Sequence, residues 1–517
     1  MDVNNFITHN QQNSTLDKFI LFLFFFFPLF LFSPFLLNAS LSLISLYFFY
    51  FVFKNKYFIW INDNFVKLIL IFWIYIVINS FINFNTSNEI IKSFLYVRFI
   101  ILFISFVFLL PLLKINLDNL LKIYLIISLI ISIDIFFQFI FGKNILGFPC
   151  QMSCQRNSSF FQDELVAGTF VFHFGLFGLL YYFRKQINLK GILILSLFFL
   201  AIFLTGDRSP FLMINITILV SLLLYYKSRK LFLIIIPIIF SLIIVLTLFS
   251  DKIYKRYVEN TYNIFTTSEL NQETLNWWID LHQKQIKFIS EIQTLNPLLK
   301  ERKFLEKSEK LRLRHFLELH NESINSKYKN SKISSQKLIY ISQFINEELK
   351  ALEKKVIVVD KVYEVRKKNN TTDKWYNNLY DSQYGAHYLS AFKIFKDNFY
   401  FGGGLKSFRK LCHQYKNINS LSASSRCSTH PHNYHLETLS EFGVVGYLFL
   451  LSLIVYLLRI YYINIKHQRF SFVIIFSMIF AKLFPFLPSG SFFSSTNSAY
   501  FWLSISIFYF LKQLKTN

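Results

Sequence analysis

Apolar residues run along this chain in blocks separated by short polar breaks. The blocks cover 19–37, 39–53, 65–82, 94–113, 118–141, 165–183, 191–205, 210–226, 231–249, 443–463, 470–487 and 499–512. An α-helix needs about 20 apolar residues to cross about 30 Å of hydrocarbon, so the pattern predicts an all-α polytopic membrane protein with about 12 transmembrane helices. The first block has the apolar character of a secretory leader. Its long Phe/Leu run, with Pro28, Pro34 and a second block straight after it, predicts a retained span instead.

Basic residues in short loops orient such helices. Lys54, Lys56 and Lys67, then Lys114 and Lys122, then Arg184, Lys185 and Lys190 fall in alternate loops. Lys227, Arg229 and Lys230, followed by Arg459, Lys466 and Arg469, continue the alternation, and Lys18 and Lys512 share that side. That side is expected to be cytoplasmic, with both termini inside. Loops 83–93, 142–164, 206–209 and 488–498 then lie outside, together with the long segment 250–442. The expected organisation is a membrane domain of about nine spans over 1–249, an outer loop domain over 250–442, and three C-terminal membrane helices within 443–517.

Within the outer loop, about 269–370 is rich in Lys, Glu, Asn and Leu, and Leu338, Ile341, Ile345, Leu349 and Leu352 recur at helical spacing. Asn296-Pro297 resembles a helix start, with a cap residue before a first-turn proline. This stretch predicts a helical insertion, either a solvated elaboration or a docking surface. Residues 371–442 differ: they hold Trp375, several Tyr and Gly402-Gly403-Gly404, a run that indicates a tight turn more than a phosphate cradle.

The chain is 54% hydrophobic with 66 Phe among 517 residues, which excludes an ordinary soluble protein. Its net charge of +24 is largely topogenic or placed in the outer loop, and no nucleic-acid module accompanies it. Cys150 and Cys154 fall in one outer loop, and Cys412 and Cys427 in the other. Thiols confined to one side suggest disulfides in an oxidising compartment, with two local pairs as the simplest connectivity.

Charged side chains within or beside spans are costly and therefore informative. Arg208 sits in the turn GDRSP, Arg98 near the outer end of the fourth span, Lys482 and Asp134 in outer halves, and Asp163 and Glu164 at the mouth of the sixth. Their shared depth predicts an outward-facing polar site suited to a lipid-borne anion, since Arg matches phosphate bidentately. No Asp-x-Asp pair offers a metal clamp in an outer loop. His430, His432 and His435 could bind zinc, but Pro431 interrupts any helix between the first two and no H-E-x-x-H pattern occurs. No metal or other cofactor is therefore expected. His432 is suited to take a proton from an attacking hydroxyl, and Glu437 and Glu441 lie on the same segment.

Three stretches carry a resemblance. His432-Asn433 is followed after nine residues by Gly443-Val444-Val445-Gly446. Arg208-Ser209-Pro210-Phe211-Leu212 forms an R-x-x-x-L pattern, and FKDNFYFGGGLKSF occupies 395–408. Together with the topology, these resemble the O-antigen ligase and O-antigen polymerase superfamily. The resemblance implies a metal-independent glycosyltransferase in a bacterial inner membrane, with the large loop periplasmic. Its donor would be an undecaprenyl-diphosphate-linked glycan, and its acceptor lipid A-core or a second lipid-linked glycan. By the same resemblance His432 would be the general base and Arg208 would hold the diphosphate, with Arg256 or His387 standing in for a second family arginine. Gly443 and Gly446 would let a neighbouring helix approach closely. A transporter of a lipid-linked anion would explain the cations but not the histidine segment, and no repeat halves support it. A scaffold built on the outer helices is the remaining alternative.

Overall fold

The computed structural model describes residues 14–83, 87–152, 154–162, 164–184, 187–225, 240–262, 383–412, 428–464 and 469–513. The expected insertion at 269–370, Asp163 and Cys427 lie outside the described residues. The chain divides into two compact units, and the first comprises Met1–Asn263, Tyr384–Lys416 and Arg426–Asn517. Among the described residues there is no strand, only two isolated bridges.

The helices follow the apolar blocks. They are α1 (Thr15–Phe25), α2 (Pro34–Asn55), α3 (Asn64–Ile82), α4 (Ser87–Leu109), α5 (Leu117–Phe141), α6 (Ala167–Phe183) and α7 (Leu189–Leu204). Then come α8 (Arg208–Leu224), α9 (Phe240–Phe249), α10 (Gln383–Asp397), α11 (Tyr434–Ile463), α12 (Phe470–Lys482) and α13 (Ser495–Gln513). Five of them, α2, α3, α4, α5 and α11, are long and apolar enough to cross a membrane, and five shorter apolar helices accompany them.

Two boundaries differ from the sequence reading. The break between the first two blocks falls at 31–33, not 38, so that α2 runs unbroken through Asn38. Pro34 sets it: Ser33 is extended, as a residue before proline prefers, and proline's missing N–H costs nothing in a first turn. The second difference is that α11 begins at Tyr434, nine residues before the apolar block at 443. Asn433 caps it there, accepting from His435 N at 3.0 Å and Leu436 N at 3.1 Å.

The C-terminal helices pack back onto the N-terminal ones, α11 on α3, α12 on α8 and α13 on α4. α13 is buried throughout Ser498–Leu511, with Ser504 and Ser506 bonded to carbonyls one turn earlier. This return of the chain end is what brings residues near 208 and near 432 to one place.

Candidate active site

His432 sits just ahead of the α11 cap with φ at +58°, a left-handed conformation uncommon outside glycine. Ser489 N donates to His432 O at 2.8 Å and holds it there. The His432 Nε2 lies 3.2 Å from Ser428 Oγ. Its ring centroid is 4.1 Å from that of His430 and 5.5 Å from those of His387 and Tyr384. Burial pushes the His432 imidazole below the usual histidine value, and burial with the neighbouring His432 takes His387 to about 4 and His430 to about 3. These rings are therefore neutral near pH 7. His435 turns away: its Nε2 donates to Leu483 O at 2.8 Å, leaving Nδ1 to accept from Tyr447 OH at 3.2 Å. Among the described residues no group of three His, Cys, Asp or Glu is arranged to hold a metal ion.

The glycine run and the helix kink are one construction. α11 departs from helical geometry at Gly443, at φ 63° and ψ −163°. In an unbroken helix Val444 N and Val445 N would donate to Ser440 O and Glu441 O. Instead they donate to Phe399 O at 2.9 Å and Tyr400 O at 3.2 Å. The two carbonyls thus freed accept from Gly403 N at 2.9 Å and Gly404 N at 2.8 Å. These four groups opened by the kink are satisfied by residues 399–404, as buried backbone requires. The approach is too close for side chains, since a Cβ on Gly402 would lie 2.5 Å from Glu441 O. α3 supports the joint from below: Tyr75 OH donates to Phe442 O at 2.6 Å and Asn79 Nδ2 to Phe401 O at 2.5 Å. Gly446 does provide a close approach, placing a hypothetical Cβ 3.3 Å from the Tyr75 ring.

The cationic half is built on the turn before α8. Arg208 Nη2 donates to Arg256 O at 2.7 Å, and Arg256 Nε to Gly206 O at 2.8 Å. Asp207 is ion-paired with Arg156. Arg156 and Arg256 thus act on the Asp207 carboxylate with Arg208 beside them, and the buried Arg208 Nε has no partner among the described residues. Arg256, rather than His387, is the cation beside Arg208; His387 belongs with His432. Tyr384, 41% exposed, lies within electrostatic reach of Arg208 and edge-on to His432.

The loop after α12 joins the halves. Ser209 Oγ donates to Pro488 O at 2.5 Å, one residue from the Ser489 that holds His432. Asn433 Nδ2 donates to Pro485 O at 2.6 Å. Glu437 accepts from Ser491 Oγ at 2.5 Å and Phe492 N at 2.7 Å, so its carboxylate is engaged in fastening this loop. Glu441 is buried with Oε2 unpartnered among the described residues.

Other residues singled out from the sequence lie elsewhere. Lys482 is buried in a separate network, 3.2 Å from His173 Nε2, 3.4 Å from Asn497 O and above the Tyr500 ring. His173, on a π-turn of α6 and stacked on Tyr500, was not anticipated. Exposed Glu164 faces Tyr500 electrostatically. Arg98 lies over the Phe99 ring, with its Nε buried and unpartnered among the described residues. Asp134 accepts from Ile145 N at 2.9 Å and Ser159 Oγ at 2.5 Å, pinning the loop that follows α5. In that loop Cys150 and Cys154 form a disulfide; Cys412 is also disulfide-bonded. Arg156, Tyr384, Tyr75, Asn79 and the 485–492 loop were missed. Only Arg156 carried a signal, as a basic residue in an outer loop.

The apolar helices indicate a multi-pass membrane protein in which the segments bearing Arg208 and His432 are tied to one loop near the ends of its helices. Residues 356–451, which include the Gly402 turn, His432-Asn433 and the Gly443 kink, match the O-antigen ligase family. No curated protein matches the chain.

Proposed function

We propose that the protein transfers a glycan from an undecaprenyl-diphosphate carrier to an acceptor hydroxyl at the periplasmic face, in the manner of an O-antigen ligase with lipid A-core as acceptor. The observation that carries this reading is the tethering of a neutral, partly buried His432 and of the Arg208–Arg256 pair to one loop. His432 takes the acceptor hydroxyl proton as the oxygen attacks the anomeric carbon, and the bond from that carbon to the diphosphate oxygen breaks. Negative charge grows on the departing diphosphate, and fixed cations aimed at that charge are the largest catalytic term available without a metal. The unpartnered Arg208 Nε offers one such donor. The half-exposed Tyr384 ring, between cation and base, offers a face for the sugar.

The test is transfer in membranes supplied with lipid-linked donor. His432→Ala and Arg208→Ala are each expected to lower it at least about 100-fold, the range of general-base and single-donor losses. Unimpaired transfer by both folded variants would defeat the assignment. Supplying donor alone, with no lipid A-core, distinguishes the polymerase reaction by chain growth. Activity is expected to persist under strong chelation.

A further inference from the structure

α10 and the turn that follows it bear two stripes with opposite surroundings. On one, Ala391 and Ile394 are fully buried against Phe408 and Cys412, and His387 is buried beside them. On the other, Phe392, Phe395 and Phe399 stand at helical spacing with consecutive ring centroids 6.2 Å and 5.2 Å apart. Phe392 is 44% exposed, Phe399 46%, and the following Tyr400 and Phe401 67% and 46%. Lys393 and Lys396 are exposed beside this row, with Lys396 Nζ 5.0 Å from the centre of the Phe392 ring. A helix facing only water does not leave such a contiguous aromatic row uncovered.

The position of the row says what covers it. Phe401 is fastened by its carbonyl to Asn79, near the end of α3, where Ile78, Phe81 and Ile82 are exposed. Phe399 and Tyr400 are fastened by theirs to Val444 and Val445 of α11, whose Leu448 is 58% exposed. On membrane helices those apolar side chains face lipid, and the aromatic row adjoins them. Aromatic rings and lysines side by side are the composition of the membrane interface, where rings sit at headgroup level and lysine stems snorkel to the polar side.

We propose that α10 docks in the headgroup–acyl boundary of the leaflet on the site's side. Phe392, Phe395, Phe399 and Phe401 would meet the acyl chains, and Lys393 and Lys396 the phosphates of anionic headgroups. His387, on the opposite stripe and 5.5 Å from His432, is thereby held at headgroup height. The inference does not depend on the glycosyl transfer reading.

The experiment uses the full chain reconstituted in phosphatidylethanolamine–phosphatidylglycerol vesicles. Because no cysteine among the described residues is free, Phe392→Cys, Phe399→Cys and, as a loop control, Thr429→Cys can each carry an environment-sensitive fluorophore. All three positions are exposed, so no core contact is lost. Nitroxide lipids are expected to place the first two labels about 5–10 Å below the headgroup surface and to leave Thr429 unquenched, whereas aqueous iodide reaches Thr429 alone. Adding Lys393→Glu and Lys396→Glu should reduce lipid quenching of the Phe399 label in anionic vesicles but not in phosphatidylcholine. Equal reduction in both would overturn the headgroup contact. Iodide quenching of the Phe392 and Phe399 labels as complete as at Thr429 would overturn the docking. Protection from both quenchers that disappears on dilution into excess lipid would also overturn it, assigning the face to a second copy of the chain.

Discussion

Replacing Gly443 by Ala tests the joint between α11 and the Gly402 turn most directly. The conformation at Gly443, φ 63° and ψ −163°, is nearly exclusive to glycine and costs another residue about 1–3 kcal/mol. A Cβ there would lie 2.6 Å from Gly402 N and 2.5 Å from Tyr400 C, and closer still to Tyr400 O. All three are backbone atoms, which cannot swing aside as the end of a flexible side chain can. Relief requires separating the two segments, which gives up the bonds from Val444 N and Val445 N to Phe399 O and Tyr400 O. At about 0.5–1.5 kcal/mol each, these bring the total to about 2–6 kcal/mol. Gly147 is the control: its φ is also positive, at 89°, but nothing lies within 4 Å of a Cβ built on it. Gly147→Ala should therefore cost only the conformational part, about 1–2 kcal/mol. Thermal unfolding in nanodiscs is expected to rank Gly443→Ala well below Gly147→Ala, and only Gly443→Ala should lose glycan transfer. Were Gly443 in a regular helix, alanine would stabilise by about 1 kcal/mol. A raised melting temperature in Gly443→Ala would thus refute the paired kink by its sign alone.

Two further predictions concern the histidine segment. Burial lowers His432 from its ordinary value of 6.5, so the base stays neutral as pH falls through 6.5 and protonates only below it. The acid limb of the transfer–pH profile should lie below 6.5 and a limb centred at or above that value would contradict the buried base. Asn433→Ala removes the cap of α11 and the bond to Pro485 O, and should cost about 0.5–2 kcal/mol for the cap alone. Asn433→Ser, which can cap but is too short to reach Pro485, should fall between wild type and Ala in thermal unfolding, and an Ala variant that melts like wild type would exclude the cap's contribution.

Hydropathy located the described helices well because it reports the solvent each segment must tolerate, and lipid leaves an unmistakable record in composition. It misplaced the α1–α2 break because Pro34, a local stereochemical signal, outweighed the smooth apolar run across Asn38. It started α11 late because Tyr434–Phe442 is buried by protein, and can therefore keep Glu437 and Glu441, which lipid would not permit. Among residues of the candidate site, His432 and Arg208 were legible as motif positions, and Arg256 only as one of two alternatives beside His387. Tyr75, Asn79 and the 485–492 loop were not, since a hydroxyl or amide that meets a distant carbonyl leaves no periodic trace. The glycines were recognised as significant but given the wrong reason at Gly443. Its backbone exchange with residues 399–404 is a pairing of two segments that no single window contains.

The loop from Leu483 to Phe492 receives Ser209 from one side and His432, Asn433, His435 and Glu437 from the other. It serves as a common datum from which both halves of the site are measured. The separation of arginine and histidine is then set by a few bonds to one short segment, not by the more than two hundred residues that lie between them in sequence. Such an architecture ties the Arg208 and His432 segments to each other independently of how many residues separate them in sequence.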